Sequence, residues 1–165
     1  MTKKTLTILV ALIVVVIGTF IWNINAKTGE NRLKLATLTK DNQAIVVASS
    51  TCGCCKLYAQ YLGQQGFDVD LQQETIEKVS AFKDENKVPE SLRSCHTTRI
   101  GNYIVEGHIP MEAIEKLLKE KPNIRGIGMA GMPSGSPGMP GPKAGPFVID
   151  IITNDGKDGG LFMQI

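Results

Sequence analysis

The sequence predicts a mixed α/β domain carried behind an N-terminal apolar segment. Three observations predict it. Short β-branched runs alternate with stretches of helical periodicity between residues 44 and 121. Three of the four cysteines fall at Cys52, Cys54 and Cys55, where the first strand should hand over to a helix. Residues 6–22, LTILVALIVVVIGTFIW, run without a charge.

The apolar run comes first. Its 17 residues lie near the lower limit for a bilayer span, about 17–25, and exceed the ~7–15 of a secretory signal core. Trp22 ends it where an interfacial aromatic is expected. Ile24 and Ala26 around Asn25 make a poor cleavage site, because small residues are preferred at both positions. Residues 1–26 are therefore expected as an uncleaved single-pass membrane anchor rather than a removed signal. Lys3 and Lys4 favour a cytoplasmic N-terminus, while Lys27, Arg32, Lys34 and Lys40 oppose it. A short basic tail ahead of one hydrophobic run is the export pattern, which puts the body outside.

Residues 27–43 are polar and mixed and are expected as a linker, with the domain proper over 44–165. AIVVAS, 44–49, predicts a buried strand. From Cys54 to Gln65 the apolar Leu57, Tyr58, Tyr61 and Leu62 recur at helical spacing, and Gly66 marks the stop. FDVDL, 67–71, alternates as a half-buried strand does. Ile76, Val79 and Phe82 share one face of a second helix over 74–86, which Pro89 closes. NYIVEG, 102–107, is a third strand. Pro110 then opens a helix with Glu112 and Glu115 early and Lys119 and Lys121 late, the order the helix dipole favours. Residues 126–146 are dense in Gly, Pro and Met and predict no regular element. FVIDIIT and GGLFMQI, joined by NDGKD, predict a closing hairpin. Helical crossovers make the first strands parallel. A strand followed at once by cysteines at a helix start is the thioredoxin-like arrangement, so the fold class predicted is α/β, a thioredoxin-like mixed sheet flanked by helices.

Composition narrows the function. Lys3 and Lys4 account for the whole excess of 18 basic over 16 acidic residues. A neutral body without a basic run argues against nucleic acid. Four cysteines in 165 residues are too few for a disulfide scaffold, so their clustering is what informs.

Cys52 and Cys55 form C-x-x-C at a predicted helix N-terminus, where unpaired N–H groups favour a thiolate. That alone fits a dithiol oxidoreductase, with Cys52 as nucleophile and Cys55 as resolving thiol. Cys54 does not fit, because a third thiol inside the pair invites scrambling. Three converging thiolates suit a soft metal better. Cys95 precedes the third strand, and in a thioredoxin-like fold the loop entering that strand faces the C-x-x-C. Cys52, Cys54, Cys55 and Cys95 are thus the candidate metal ligands. His96, Met129, Met132 and Met139 are secondary candidates, the methionines alternatively serving as apolar cover. His108 is expected to pack or cap near the helix start, and Met111 and Met163 to pack. A tetrahedral zinc site normally draws its ligands in spaced pairs. Adjacent Cys54 and Cys55 fit one tetrahedral ion poorly, whereas thiolates bridging several Cu(I) ions relieve that geometry. Copper is favoured over zinc.

TCGCCKLYAQYL (51–62), SCHTTRIGNYIVEGHIP (94–110) and GMPSGSPGM (131–139) together resemble the CopG-like family, predicted metal-binding proteins found with bacterial copper-resistance genes. The resemblance covers roughly residues 44–142. It implies a thioredoxin-like fold exported to the periplasm. It also implies Cu(I) on the cysteines at 52, 54, 55 and 95, as a multinuclear thiolate cluster, with a role in copper redox handling. The expectation is a periplasm-facing copper-binding protein held in the bacterial inner membrane, or free in the periplasm if the segment is cut. It would work in copper resistance or homeostasis, with periplasmic copper-handling proteins as partners. A Cys52–Cys55 disulfide is expected in the metal-free oxidised state. The alternatives are a thiol–disulfide or copper oxidoreductase using that pair, and a zinc module that docks a partner.

Overall fold

The computed structural model describes the backbone of residues 3–39 and 41–165. In the first helix it describes the side chains of Ile8, 12–23, Asn25, Ala26, Gly29, Glu30, Thr37 and Leu38. Four α-helices and seven strands occur among the described residues, and the strands form one mixed sheet.

Helix α1 spans Lys3–Leu38. Its apolar side chains from Leu12 to Trp22 are exposed, Trp22 at 77%. Among the described residues no helix is long and apolar enough to cross a membrane. Residues 6, 7 and 9–11 of the expected span 6–22 lie outside the described side chains, as do Lys27, Arg32, Lys34 and Lys40. Residues 27–38, within the stretch 27–43 expected as a linker, are helical. The stretch contains one glycine and no proline, so nothing in it stops a helix that has already nucleated.

The body follows as β1 (Gln43–Ser49), α2 (Gly53–Gln64), β2 (Asp68–Glu74), α3 (Ile76–Glu85), β3 (His96–Ile100), β4 (Tyr103–Glu106), α4 (Met111–Glu120), β5 (Gly126–Gly128), β6 (Val148–Ile152) and β7 (Asp158–Gln164). The sheet order is β2-β1-β3-β4-β5-β6-β7. β1 and β2 run parallel, as helix α2 between them requires. β3 runs antiparallel to β1 and to β4. β4 and β5 are parallel across α4, and β5, β6 and β7 continue antiparallel.

Two strands depart from expectation. β3 carries polar residues on its buried positions: His96, Thr97 and Thr98 are all fully buried, so no apolar run marks it. β5 lies inside the Gly/Pro/Met region expected to be irregular. Gly126 makes its pairing possible, since a Cβ there would lie 1.8 Å from the Ile104 carbonyl oxygen. The core gathers Val46, Tyr58, Leu62, Val105, Ile114, Leu117, Ile127 and Ile149. It fixes α2 against the sheet, and with it the cysteines at the start of that helix.

Candidate metal centre

Two pieces of chain build the site. The first is the junction of β1 and α2. Cys52 is the N-cap of α2 in extended conformation, and its sulfur accepts the Cys55 N–H at 3.3 Å. That fills one of the orphan donors a helix start leaves. Cys52 and Cys55 form a disulfide, with Cα atoms 5.4 Å apart. Cys52 is half-buried and Cys55 fully buried. Cys54 stays a free thiol, its sulfur 3.5 Å from that of Cys52.

The second piece is the start of β3 with the turn after β4. Cys95, also free, places its sulfur 3.9 Å from that of Cys54. A buried network holds this piece. Glu106 accepts the Ser94 N–H at 2.7 Å, the Thr97 hydroxyl at 2.5 Å and the Lys83 ammonium at 2.5 Å. Lys83 also donates to Thr97. Burial raises the Glu106 pKa, and Lys83, Thr97 and the Ser94 N–H oppose the rise. The pair stands as an ion pair because the carboxylate has three hydrogen-bond donors to share its charge. Gly107 follows with φ +81°, where a Cβ would meet the Met129 carbonyl at 2.7 Å. That tight turn carries His108 back over Cys95.

The sulfurs of Cys52, Cys54, Cys55 and Cys95 lie within 4.8 Å of one another. A second group converges equally closely: Cys95, His96 and His108. His96 Nδ1 is 3.3 Å and His108 Nε2 3.1 Å from the Cys95 sulfur. His108, expected to pack or cap, is therefore a site residue. Its only advance signal is its place two residues after a strand that returns beside Cys95. Both rings are fully buried. Burial holds the His96 pKa well below its ordinary value, with His108 and Lys83 adding to the effect. Burial lowers that of His108 too. Burial, and then the charge of Cys54, push the Cys95 thiol up to about 12. The metal-free site thus holds neutral imidazoles and a protonated thiol.

The loop from Gly131 to Gly141 roofs the site. Ser94 Oγ donates to the Gly131 carbonyl at 2.5 Å, and His108 Nδ1 to that of Pro137 at 2.7 Å. The three loop methionines divide. Met132 brings its sulfur 4.0 Å from that of Cys54 and is half exposed. Met129 is buried in the core. Met139 lines a shallow groove on α2 with Leu57 and Tyr61. The donor set of thiols, imidazoles and one thioether fits a soft or borderline metal ion. The disulfide withholds two of the four thiols from it until reduced.

Fold and site together define a class: an α/β protein whose helix start and neighbouring strand gather cysteine and histidine donors into one candidate metal centre. Residues 92–139 match the family described as "Protein of unknown function, DUF411". The structure is similar to two solved chains titled "Copper resistance protein copG", Form 1 and Form 2. Form 1 is 35% identical, with a TM-score of 0.67, across 74% of this chain and 96% of that one. Form 2 is 33% identical, with a TM-score of 0.65, across 74% and 97%. No curated protein sequence matches the chain. The chain belongs to the CopG family.

Proposed function

We propose that the chain binds copper in resistance or homeostasis, holding Cu(I) on the thiolates of Cys52, Cys54, Cys55 and Cys95. One observation carries this: four sulfurs from two separate pieces of chain converge within 4.8 Å. The copper-resistance titles of its relatives support the choice of metal. Two electrons and two protons open the Cys52–Cys55 disulfide, and copper then displaces protons from the thiols. Three sulfurs at 52, 54 and 55 favour thiolates shared among several ions over one tetrahedral ion, which would also disfavour zinc.

The body is thioredoxin-like on this view. The β2-β1-β3-β4 order, with β1 and β2 parallel and β3 reversed, supports it, as do cysteines opening the helix after β1. The uncharged run 6–22 tethers the chain to the inner membrane, with the body facing the periplasm and its copper-handling proteins. The exposed apolar surface of α1 supports the tether, because a helix apolar all round needs a protein or lipid cover.

The test is an anaerobic Cu(I) titration of the reduced full chain. More than one copper per chain is expected, with loss of that stoichiometry in Cys95→Ser. Saturation by zinc in preference to copper would sink the proposal. Around neutral pH the Cys95 thiol is protonated, so copper releases its proton, and this thiol alone weakens binding about tenfold per pH unit on acidification. Extraction of the chain from membranes by alkaline carbonate would dismiss the tether.

The Cys52–Cys55 disulfide at the start of α2 favours a second reading, a thiol–disulfide oxidoreductase. Of the two disulfide residues Cys52 is the partly exposed one and so the side open to an attacking thiolate. Replacing both Cys54 and Cys95 by Ser separates the two: an oxidoreductase keeps its turnover of a dithiol substrate, and a four-thiolate copper protein loses its metal.

A further inference from the structure

We infer that the chain keeps a separate one-copper site in its disulfide form, built from Cys95, His96 and His108. The identity of the metal rests on the copper reading above; the site itself does not. Closing the Cys52–Cys55 disulfide removes two thiolates from the four-sulfur set. It leaves Cys95, His96 and His108 out of the disulfide, and these three gather where the start of β3 meets the end of β4.

His108 is set up as a ligand. Its Nδ1 faces the Pro137 carbonyl at 2.7 Å. A proline carbonyl can only accept, so Nδ1 carries the ring proton. The Nε2 lone pair then points at the Cys95 sulfur, 3.1 Å away. A backbone carbonyl that fixes the far nitrogen of a histidine is the usual outer partner of a metal-bound imidazole. His96 is fully buried, its Nδ1 is 3.3 Å from the same sulfur, and its Nε2 has no hydrogen-bond partner. Nδ1 is thus the His96 nitrogen that faces the shared space with Cys95 and His108. The two sulfur–nitrogen separations approach the ~3.5 Å that metal–ligand bonds of about 2.0–2.3 Å imply for neighbouring ligands. Two imidazoles and one thiolate are a copper donor set. Cys54, whose sulfur is 3.9 Å from that of Cys95, stands next in line as a fourth ligand. Thiol redox state would then set the copper load: several ions when reduced, one when oxidised.

The experiment uses the full chain with the disulfide intact, verified by alkylation of two thiols and no more. It is titrated anaerobically with Cu(I) against a chromogenic chelator. One copper per chain is expected, and X-ray absorption at the copper edge should show imidazole nitrogen beside sulfur. His108→Gln can keep the donation to Pro137 but offers no imidazole. It should weaken the single copper at least about tenfold, the effect that even outer partners of metal ligands produce, with the thermal melt of the metal-free chain confirming that it folds. No copper on the disulfide form, an all-sulfur spectrum, or unchanged affinity in a folded His108→Gln would overturn the site. One copper on both the disulfide and the reduced chain would overturn the four-thiolate cluster and leave this site standing. Several coppers on the reduced chain and none on the oxidised chain would do the reverse.

Discussion

The two walls of the metal centre are built by opposite means. The β1–α2 wall takes its donors from adjacent positions, Cys52, Cys54 and Cys55, all of them sulfur. They sit at a helix start, and two of them have already exchanged their protons for a disulfide. The β3–β4 wall draws Cys95, His96 and His108 from two strand ends, mixes nitrogen with sulfur, and rests on a buried Lys83–Glu106–Thr97 network. The first wall can change its chemistry by opening or closing its disulfide. The second holds no disulfide cysteine and is braced by its buried network. A centre with one variable wall and one constant wall can alter its capacity while remaining assembled.

The most severe way to break that contrast is Glu106→Ala. It leaves the Lys83 ammonium buried without its partner and frees the Ser94 N–H. Removing one member of a buried pair costs about 3–5 kcal/mol. Cys54→Ser, on the half-exposed wall, should change stability by no more than ~0.5 kcal/mol. Urea denaturation with the disulfide intact compares them. Equal costs would mean that the β3–β4 wall is no more tightly held than the other.

Gly138→Ala acts on the roof instead. Gly138 has φ +81°, and a Cβ there would lie 2.8 Å from the Tyr58 backbone nitrogen. The loop must lift, which also loosens the Pro137 carbonyl from His108. A loss of roughly 1–3 kcal/mol is expected, together with faster alkylation of Cys95. Slow alkylation in a destabilised variant would show that the roof does not shield the thiol.

The contrast between the walls also explains what the sequence could reveal. The β1–α2 wall was readable because its pattern is local: AIVVAS is apolar, the cysteines are contiguous, and Leu57, Tyr58, Tyr61 and Leu62 repeat at helical spacing. β2, α3, α4 and the closing hairpin carry equally local periodicity. β3 does not. Three of its four buried positions are polar, His96, Thr97 and Thr98, and Thr97 is satisfied by Lys83 and Glu106 arriving from other elements. His108 joins the site only because β4 pairs back along β3 and Gly107 turns the chain. Cys95 was reachable through the topology expected of the domain, and His96 as its chain neighbour, but His108 needed the three-dimensional register. The helical stretch 27–38 looked like a linker because its polar composition has no fixed period.

Acid separates the walls next. An unfolded histidine titrates near 6.5, while burial holds His96 well below that in the folded chain. Between those two values the unfolded chain binds a proton that the folded chain does not. Stability therefore rises with pH there, and it falls as pH drops through about 6.5. The loss is about 1.4 kcal/mol per pH unit for His96, with a smaller share from His108. Melting of the metal-free chain between pH 7 and pH 5 checks it. A flat profile would place His96 in an environment that welcomes its charge, contrary to the buried β3–β4 wall.

Met132→Leu should give the smallest effect, because Met132 belongs to neither wall. Its side chain is 51% exposed, and its sulfur reaches Cys54 at 4.0 Å without other anchoring. Leucine keeps the volume and removes the thioether. Stability should stay within about 0.5 kcal/mol of the parent. In the reduced chain Cu(I) affinity should fall by less than about tenfold, or ~1.4 kcal/mol, if the four proposed thiolates supply the main bonds. In the disulfide chain it should not fall at all if copper there is held by the proposed Cys95, His96 and His108 set. Chelator competition on both redox forms measures the two changes side by side. A hundredfold loss in the reduced form would make the loop a third wall. A loss confined to the disulfide form would move the single copper outward, from His108 towards Cys54 and Met132.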